Sequence, residues 1–289
     1  MASALEISSL SVMVGSPACN LRCPFCISKQ TYRVDAPSRC AVPLERIAFL
    51  ADKFLRVCAG LPYGIITGKG EPTLVPTEEL GEIIEVLYAG GRGLIPELQT
   101  NGTLLGEEKL ASWRAKGLNT VALSCVSHRD EVNSRILSNG AVKWKLDRVV
   151  RIARDLGLLV RVTLVTVQGG VDSEPELGSF LDWAEQAGVH QVTFRRAGGP
   201  RQPSRPGAEA VSTWIQHNRV EPDFVLRLLS ERGQEQDAFP WARCFSCQGM
   251  SVVVTDCMSP PKDRVVRHAV IQPDGHLYGS WDDPGHILI

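Results

Sequence analysis

The chain has 289 residues, of which 44% are hydrophobic and 22% charged, a composition typical of a globular protein with a sizeable core. Its formal net charge of −1 excludes a protein-wide positive field that would attract nucleic acid or an anionic membrane. It has no apolar run long enough to span a membrane, no secretion signal at its start and an odd number of cysteines. We therefore expect a cytoplasmic protein with reduced thiols.

Short apolar runs alternate with segments of helical periodicity through residues 1–197. The runs predict strands at Leu10–Val14, Tyr63–Thr67, Ile95–Thr100, Thr120–Cys125, Leu159–Val167 and Gln191–Phe194. Six strand–helix alternations imply parallel strands joined by crossover helices. The roughly even spacing favours an α/β barrel, partial or complete, over a doubly wound open sheet, although periodicity alone does not separate the two. In either fold we expect the chemistry at the carboxyl ends of the strands.

Helical patterns fill the intervals between these strands. The first begins at Pro43 and carries Leu44, Ile47, Leu50, Phe54 and Cys58 along one face. Further helices are predicted from Thr77, up to Lys116, over Val142–Leu156 and from Ser173 to Ala187.

The composition changes after Ala197. Residues 198–207 are rich in Gly, Pro and Arg and predict a long loop. Two short helical patterns follow, at Ala210–Gln216 and Pro222–Leu229, and then β-structure at Met250–Thr255, Val265–Gln272 and His276–Trp281. We divide the chain into a core, residues 1–197, and an α+β extension, residues 198–289, which we expect to cap the core and face the substrate.

Three cysteines, Cys19, Cys23 and Cys26, lie close together directly after the first strand. Thiolate is the soft ligand that iron–sulfur clusters and zinc prefer. A closed zinc site or a fully ligated cluster needs four protein ligands, whereas three leave one iron of a cluster free to bind another molecule. The alternative is a zinc knuckle with a distant fourth ligand such as His128.

The cysteine spacing, with Phe25 before the third cysteine, resembles the CxxxCxΦC signature of the radical SAM superfamily. The resemblance implies a partial (β/α)6 barrel with a [4Fe–4S] cluster whose free iron binds S-adenosylmethionine (SAM). In that family one electron breaks a carbon–sulfur bond of SAM, and the 5′-deoxyadenosyl radical abstracts hydrogen from the substrate. It also implies an electron donor such as flavodoxin or ferredoxin.

Three later segments resemble family elements in the same order along the chain. Gly68-Lys69-Gly70-Glu71 looks like the GGE segment that holds the SAM amino group, with Lys69 as a departure between the glycines. Thr100 begins a T-N-G turn, and Ser124 is a polar strand end that would bond the ribose. Each has an ordinary alternative as a turn or a strand residue. The predicted cofactor-binding residues are Phe25, Gly68, Gly70, Glu71, Thr100 and Ser124.

Cationic and polar side chains also mark the last two core strands. Arg161, Thr166 and Gln168 flank the fifth strand, and Arg195 and Arg196 follow the sixth. Because arginine suits bidentate carboxylate recognition, either group could hold the SAM carboxylate or an anionic substrate; a solvated charge is the alternative for each.

A second set of cysteines lies in the extension. Cys244 and Cys247 form a C-x-x-C pair, and Cys257 follows after nine intervening residues. Some members of the family carry an auxiliary [4Fe–4S] cluster in a C-terminal extension, which makes these thiols candidate ligands. The alternative is buried thiols that pack as small hydrophobic side chains.

These features favour a radical SAM enzyme that acts on a small molecule or peptide in a biosynthetic pathway. An RNA-modifying member of the same family is one alternative, although no RNA-binding module is visible. A zinc- or cluster-binding regulatory or scaffold protein is an alternative of a different class. The sequence names no substrate.

Overall fold

A computed structural model describes residues 7–31, 42–199, 206–221, 223–239, 242–255, 266, 268–281 and 285–289. Cys257, residues 200–205 of the predicted loop, and residues 265 and 267 of the predicted strand Val265–Gln272 lie outside these ranges.

All six predicted core strands are present. They are β1 (Ile7–Met13), β2 (Cys58–Thr67), β3 (Ile95–Thr100), β4 (Thr120–Cys125), β5 (Leu159–Thr166) and β6 (Gln191–Arg196). Arg195 and Arg196 therefore end β6 rather than follow it. Apolar β-branched runs of this kind form strands because their side chains pack well on a pleated, buried surface.

Six helices accompany these strands, namely α1 (Leu44–Leu55), α2 (Thr77–Tyr88), α3 (Glu107–Ala115), α4 (Asp130–Ser138), α5 (Leu146–Asp155) and α6 (Glu174–Ala187). The placement of Cys58 on the face of α1 was wrong, since α1 ends at Leu55 and Cys58 begins β2.

Helix α4 is the one core helix that sequence periodicity did not predict. It is short and largely polar, and its position is fixed by tertiary hydrogen bonds. Asn133 Oδ1 accepts from the backbone N–H of Val126 and Ser127, and Asp130 accepts from the N–H of Leu146 at 2.9 Å. The second bond also explains why α5 begins at Leu146 rather than at Val142.

The extension adds α7 (Ala208–Asn218), α8 (Asp223–Arg232), β7 (Gly233–Phe239), β8 (Ala242–Cys247), β9 (Met250–Thr255), β10 (His268–Ile271) and β11 (Leu277–Tyr278). Strands β7 and β8 were not predicted. Strand β8 pairs antiparallel with both β7 and β9, and β7 has a polar sequence without apolar alternation.

Within the described ranges the strands form one sheet in the order β11-β10-β1-β2-β3-β4-β5-β6-β9-β8-β7. Strands β10 through β9 of this order are parallel, and β11, β8 and β7 are antiparallel to their neighbours. The two ends of the sheet do not pair, so the predicted α/β partial barrel is confirmed. The proposed division at residue 197 stays a prediction, because the sheet runs across it at both edges.

The two faces of the sheet differ in character because successive side chains of a strand point to opposite sides. The outer face, which packs on the helices, is apolar; Phe194, for example, contacts Phe180 of α6 at 6.1 Å between ring centroids. Burying each such side chain contributes about 1.5–3 kcal/mol. The opposite face, here called the inner face, carries polar residues that include Ser11, Glu97 and Arg161.

No helix in the described ranges has both the length and the hydropathy needed to cross a membrane.

Candidate functional site

The loop between β1 and α1 carries the three predicted cluster ligands, and two of them, Cys23 and Cys26, belong to consecutive turns. The backbone N–H of Cys26 donates to the carbonyl of Cys23 at 3.3 Å, and that of Lys29 donates to the carbonyl of Cys26 at 3.1 Å. Cys19 is exposed and the other two cysteines are half-buried, and all three thiols are free. The loop follows the carboxyl end of β1, where sequence analysis expected the chemistry.

The electrostatics of these thiols favour a cationic partner. Burial, and then the nearby Cys26 and Cys19 thiols, raise the pKa of Cys23 to about 12. Burial is also the main cause that raises the pKa of Cys19. Three neighbouring thiolates repel one another, and iron bound to sulfur removes that repulsion and deprotonates the ligands. This soft three-thiol donor set therefore fits an iron–sulfur cluster.

Among the described residues, no three His, Cys, Asp or Glu side chains form a group that could hold a single metal ion. His128, named as a fourth zinc ligand, instead stacks on Trp183 at 6.1 Å and meets the edge of Phe180 at 6.2 Å.

The glycine loop after β2 crosses the cysteine loop at backbone contact. The N–H of Glu71 donates to the carbonyl of Ala18 at 2.9 Å. A Cβ atom on Gly70 would lie 1.9 Å from that same carbonyl oxygen, and one on Gly68 would lie 2.8 Å from the carbonyl oxygen of Val14. Both positions therefore require glycine, and the two loops hold each other in register.

The Glu71 carboxylate is 5% exposed and joins the loop after β2 to the turn after β3. Its Oε1 accepts from the N–H and the hydroxyl of Thr73 and from the hydroxyl of Thr100, the last at 2.5 Å. Its Oε2 accepts from the N–H of Asn101 at 2.9 Å. Two predicted cofactor residues, Glu71 and Thr100, are thus bonded to each other, and Oε2 keeps capacity for a further donor.

The T-N-G turn is bonded directly to the cysteine loop. Asn101 donates to Asn20 Oδ1 at 2.8 Å, Asn20 donates to Thr103 Oγ1 at 2.7 Å, and the Asn101 side chain also bonds Cys19. Gly102 closes the turn with φ +77°. Sequence analysis missed Asn20, because a spacer between two cysteines carries no pattern of its own.

Ser124 lies on the inner face at the carboxyl end of β4 and is exposed, whereas Leu123 and Cys125 beside it are buried on the outer face. Phe25 packs against Trp214 of α7, with ring centroids 5.7 Å apart. Helix α7 therefore covers part of the cysteine loop, a contact that no sequence signal indicated.

Lys69, the departure between the two glycines, reaches away from its own loop. Its ammonium group donates to the hydroxyl of Thr31 at 2.9 Å and to the carbonyl of Trp281 at 3.2 Å. It thereby links the cysteine loop to the C-terminal tail.

The C-x-x-C cysteines do not meet. They stand three residues apart on β8, so their side chains point to opposite faces of the strand. Cys247 packs in the main core with Phe245 and donates to the carbonyl of Arg232 at 3.7 Å, whereas Cys244 lies outside that cluster. Cys257 lies outside the described residues.

The predicted cationic residues are divided between the two faces. Arg161 and Arg195 lie on the inner face, and Arg196 lies on the outer face, where it pairs with Glu221 at 3.3 Å. The hydroxyl of Thr166 donates to the backbone carbonyl of Arg195 at 3.4 Å, and the backbone N–H of Gln168 donates to Asn218 at 2.8 Å.

Comparison by sequence finds one matching family and one curated relative. The profile of the radical SAM superfamily matches residues 13–184. The GTP 3′,8-cyclase of Aquifex aeolicus (strain VF5) is 30% identical over 279 residues, which cover 93% of this chain and 81% of that protein.

Two similar solved structures share the fold at low identity. SuiB of Streptococcus suis bound to S-adenosylmethionine has a TM-score of 0.64 and 12% identity over 97% of this chain. Native anSMEcpe with bound AdoMet has a TM-score of 0.56 and 17% identity over 77% of this chain. The matches span 62% and 58% of those two longer chains, less than two thirds of each.

Proposed function

This chain belongs to the radical SAM superfamily, and from that premise we propose that it cleaves SAM at a [4Fe–4S] cluster held by Cys19, Cys23 and Cys26. Members of this superfamily are enzymes that use such a cluster together with SAM, so the regulatory or scaffold alternative is set aside.

One observation carries the assignment of residues. The loop with the three cysteines is hydrogen-bonded both to the glycine loop, through Glu71 and Ala18, and to the T-N-G turn, through Asn20 and Asn101. Elements from the ends of three neighbouring strands therefore converge on the thiols. This is the arrangement that a cofactor bound to a cluster at this point requires.

When bound, the cluster supplies the electron that cleaves a carbon–sulfur bond of SAM. On the protein side, Gly68, Gly70 and Glu71 would hold the amino group, and Ser124 would bond the ribose. Thr100 would act by holding the carboxylate of Glu71 in place. The Phe25–Trp214 contact would shield the loop from water.

For the substrate we propose a small molecule. The relative that is 30% identical carries the name of an enzyme that cyclises GTP, and the match covers most of both chains. No observation favours the alternatives of an RNA or a peptide substrate, and the net charge of −1 offers no general attraction for RNA. We propose a flavodoxin or ferredoxin as the electron donor.

The test is anaerobic reconstitution with iron and sulfide, followed by detection of 5′-deoxyadenosine. Cys19→Ala, Cys23→Ala and Cys26→Ala are each expected to abolish SAM cleavage while the chain stays folded. Cys58→Ala is the matched control, since Cys58 is a half-buried free thiol at the start of β2, and it should retain cleavage. Full activity in any of the three loop variants would refute the assignment.

The substrate class has its own test. Reconstituted protein is incubated with GTP, with an ultrafiltered extract of small metabolites, or with the retained macromolecules. Faster 5′-deoxyadenosine formation with GTP or the filtrate supports a small-molecule substrate. Stimulation by the macromolecular fraction alone would contradict it.

A further inference from the structure

The inner face of the sheet carries charges that the proposed cofactor residues do not use. Val160 and Val162 of β5 and Phe194 of β6 are buried in the outer core. Because side chains alternate along a strand, Arg161 and Arg195 point to the inner face.

Glu97 of β3 compensates one of these arginines. Glu97 is 3% exposed, and its carboxylate accepts a hydrogen bond from Arg161 Nη2 at 2.5 Å. The Arg161 side chain is 18% exposed. Gln99 donates to the same carboxylate oxygen at 3.2 Å.

Arg195 has no such partner. In the ranges that the structure describes it makes no ion pair, and its Nε, like that of Arg161, is buried without a hydrogen-bond acceptor. Arg161 pairs with Gln191 and Arg195 with Val165, so the two arginines stand four strand positions apart on the same face. Burial lowers the pKa of Arg161, Glu97 raises it, and the positive charge of Arg195 lowers it further. Two arginines facing one glutamate leave one positive charge uncompensated, and a partly buried charge is costly without a counter-ion.

We propose that Arg195, with Arg161 deeper on the same face adding positive charge, binds an anionic group of the substrate, a phosphate or a carboxylate, on the inner face of the barrel. Arginine donors match both groups in bidentate geometry. This inference rests on the proposed function and names the substrate chemistry of the same site.

The position on the strands favours the substrate over the carboxylate of SAM. Arg161 pairs with Ala122, two residues before Ser124, and so lies roughly 7 Å deeper in the barrel than the predicted ribose contact. Arg195 pairs with Val165 near the carboxyl end of β5. The predicted SAM contacts other than Ser124 come from the loops after β1, β2 and β3, whereas the two arginines stand on β5 and β6.

The experiment uses anaerobically reconstituted protein with inorganic pyrophosphate and succinate as probes. At least one probe is expected to raise the melting temperature of the wild type. Arg195→Gln should weaken that probe's affinity at least tenfold, and Arg195→Lys should retain part of it. Arg196→Gln, which changes the neighbouring arginine on the outer face, should leave the response intact. If neither probe stabilises the wild type, or if Arg195→Gln responds like the wild type, the inference is wrong.

Two further measurements separate the sources of the anion. SAM affinity by equilibrium dialysis should be the same in wild type and Arg195→Gln, and a tenfold loss there would assign Arg195 to SAM and overturn the inference.

Without added anion, Arg195→Gln should unfold at a higher urea concentration because it removes the uncompensated charge. A lower midpoint would also count against the proposal. Arg195-dependent probe binding by protein that never cleaves SAM would refute the proposed function and would leave only an anion site on the inner face.

Discussion

At the scale of single residues, the loops of the site are held by close backbone contacts and by one buried carboxylate. The glycine loop touches the carbonyl oxygens of Val14 and Ala18, and the buried carboxylate of Glu71 accepts four hydrogen bonds that tie it to Thr73, Thr100 and Asn101. A group held this firmly sets the positions of two loops at once.

Gly70→Ala is the sharpest test of that contact. Its Cβ would collide with the Ala18 carbonyl, so the loops must separate, at an expected cost of about 1–3 kcal/mol in unfolding free energy. SAM affinity should fall as well, as measured by equilibrium dialysis. Gly106→Ala is the control, because a Cβ there meets nothing within 4 Å. Wild-type SAM affinity in Gly70→Ala would contradict the role of the contact.

His128 makes stability depend on pH. Burial, and then the charge of Arg129, lower the pKa of this imidazole, while Glu176 and Glu131 act in the opposite direction. The folded chain therefore binds the proton less readily than the unfolded chain. The contribution of neutral His128 to the unfolding free energy is complete above about pH 6.5, its pKa in the unfolded chain. It is lost as the pH falls toward the lower pKa that His128 has in the folded state.

The expected result is a fall in unfolding free energy between about pH 7.5 and pH 5.5, measured in urea. His128→Phe keeps an aromatic ring against Phe180 and Trp183 but cannot titrate, so its loss over this interval should be smaller. An equal loss in both proteins would show that other groups cause the pH dependence.

At the scale of elements, the same cysteine spacing gives different geometry on a loop and on a strand. In the Cys19–Cys26 loop, Cys23 and Cys26 are joined by a backbone hydrogen bond across a tight turn, whereas Cys244 and Cys247 stand on a β-strand that separates them. C-x-x-C spacing brings two thiols together in a turn and drives them apart on a strand, because the strand repeats every two residues.

From this geometry we expect Cys244→Ala combined with Cys247→Ala to leave the iron content unchanged at about four ions per chain. Iron analysis after reconstitution makes the measurement, with Cys19→Ala as the reference that should lose iron. A loss of about four ions in the double variant would show a second cluster and a rearranged β8.

At the scale of the whole molecule, the C-terminal extension and the core share one sheet. The C-terminal extension supplies β9 beside β6 and β10 beside β1, both parallel, so residues far apart in sequence share one sheet. Val12 of β1 pairs with Ile271 of β10, and both belong to the same apolar cluster. The tail is therefore expected to unfold together with the barrel.

Ile271→Ala tests this coupling. Ile271 is 0% exposed, and its truncation should lower the unfolding free energy by about 2–5 kcal/mol in a single urea transition seen by both fluorescence and circular dichroism. Ile287→Ala, at a residue 53% exposed, should change it little. Two separate transitions would show that the extension folds on its own.

The sequence by itself determined the features that are local. Apolar runs predicted β1 to β6, and the spacing of Cys19, Cys23 and Cys26 with Phe25 indicated both the family and the candidate cluster ligands. A run of β-branched residues or a set of closely spaced thiols carries its physical consequence within a few residues of chain, so it can be read without knowledge of the fold.

Only the tertiary structure decided the features that depend on distant partners. Strand β8 forms by pairing with β9, and β7 by pairing with β8. Helix α4 is fixed by Asn133, and Asn20 acquires its role from the turn after β3. Likewise, Arg195 and Arg196 are adjacent in sequence, yet Arg196 pairs with Glu221 on the outer face and Arg195 lies on the inner face, as Arg161 does. Strand alternation sends neighbours to opposite faces, and the partner that compensates a charge is chosen by the fold rather than by position along the chain.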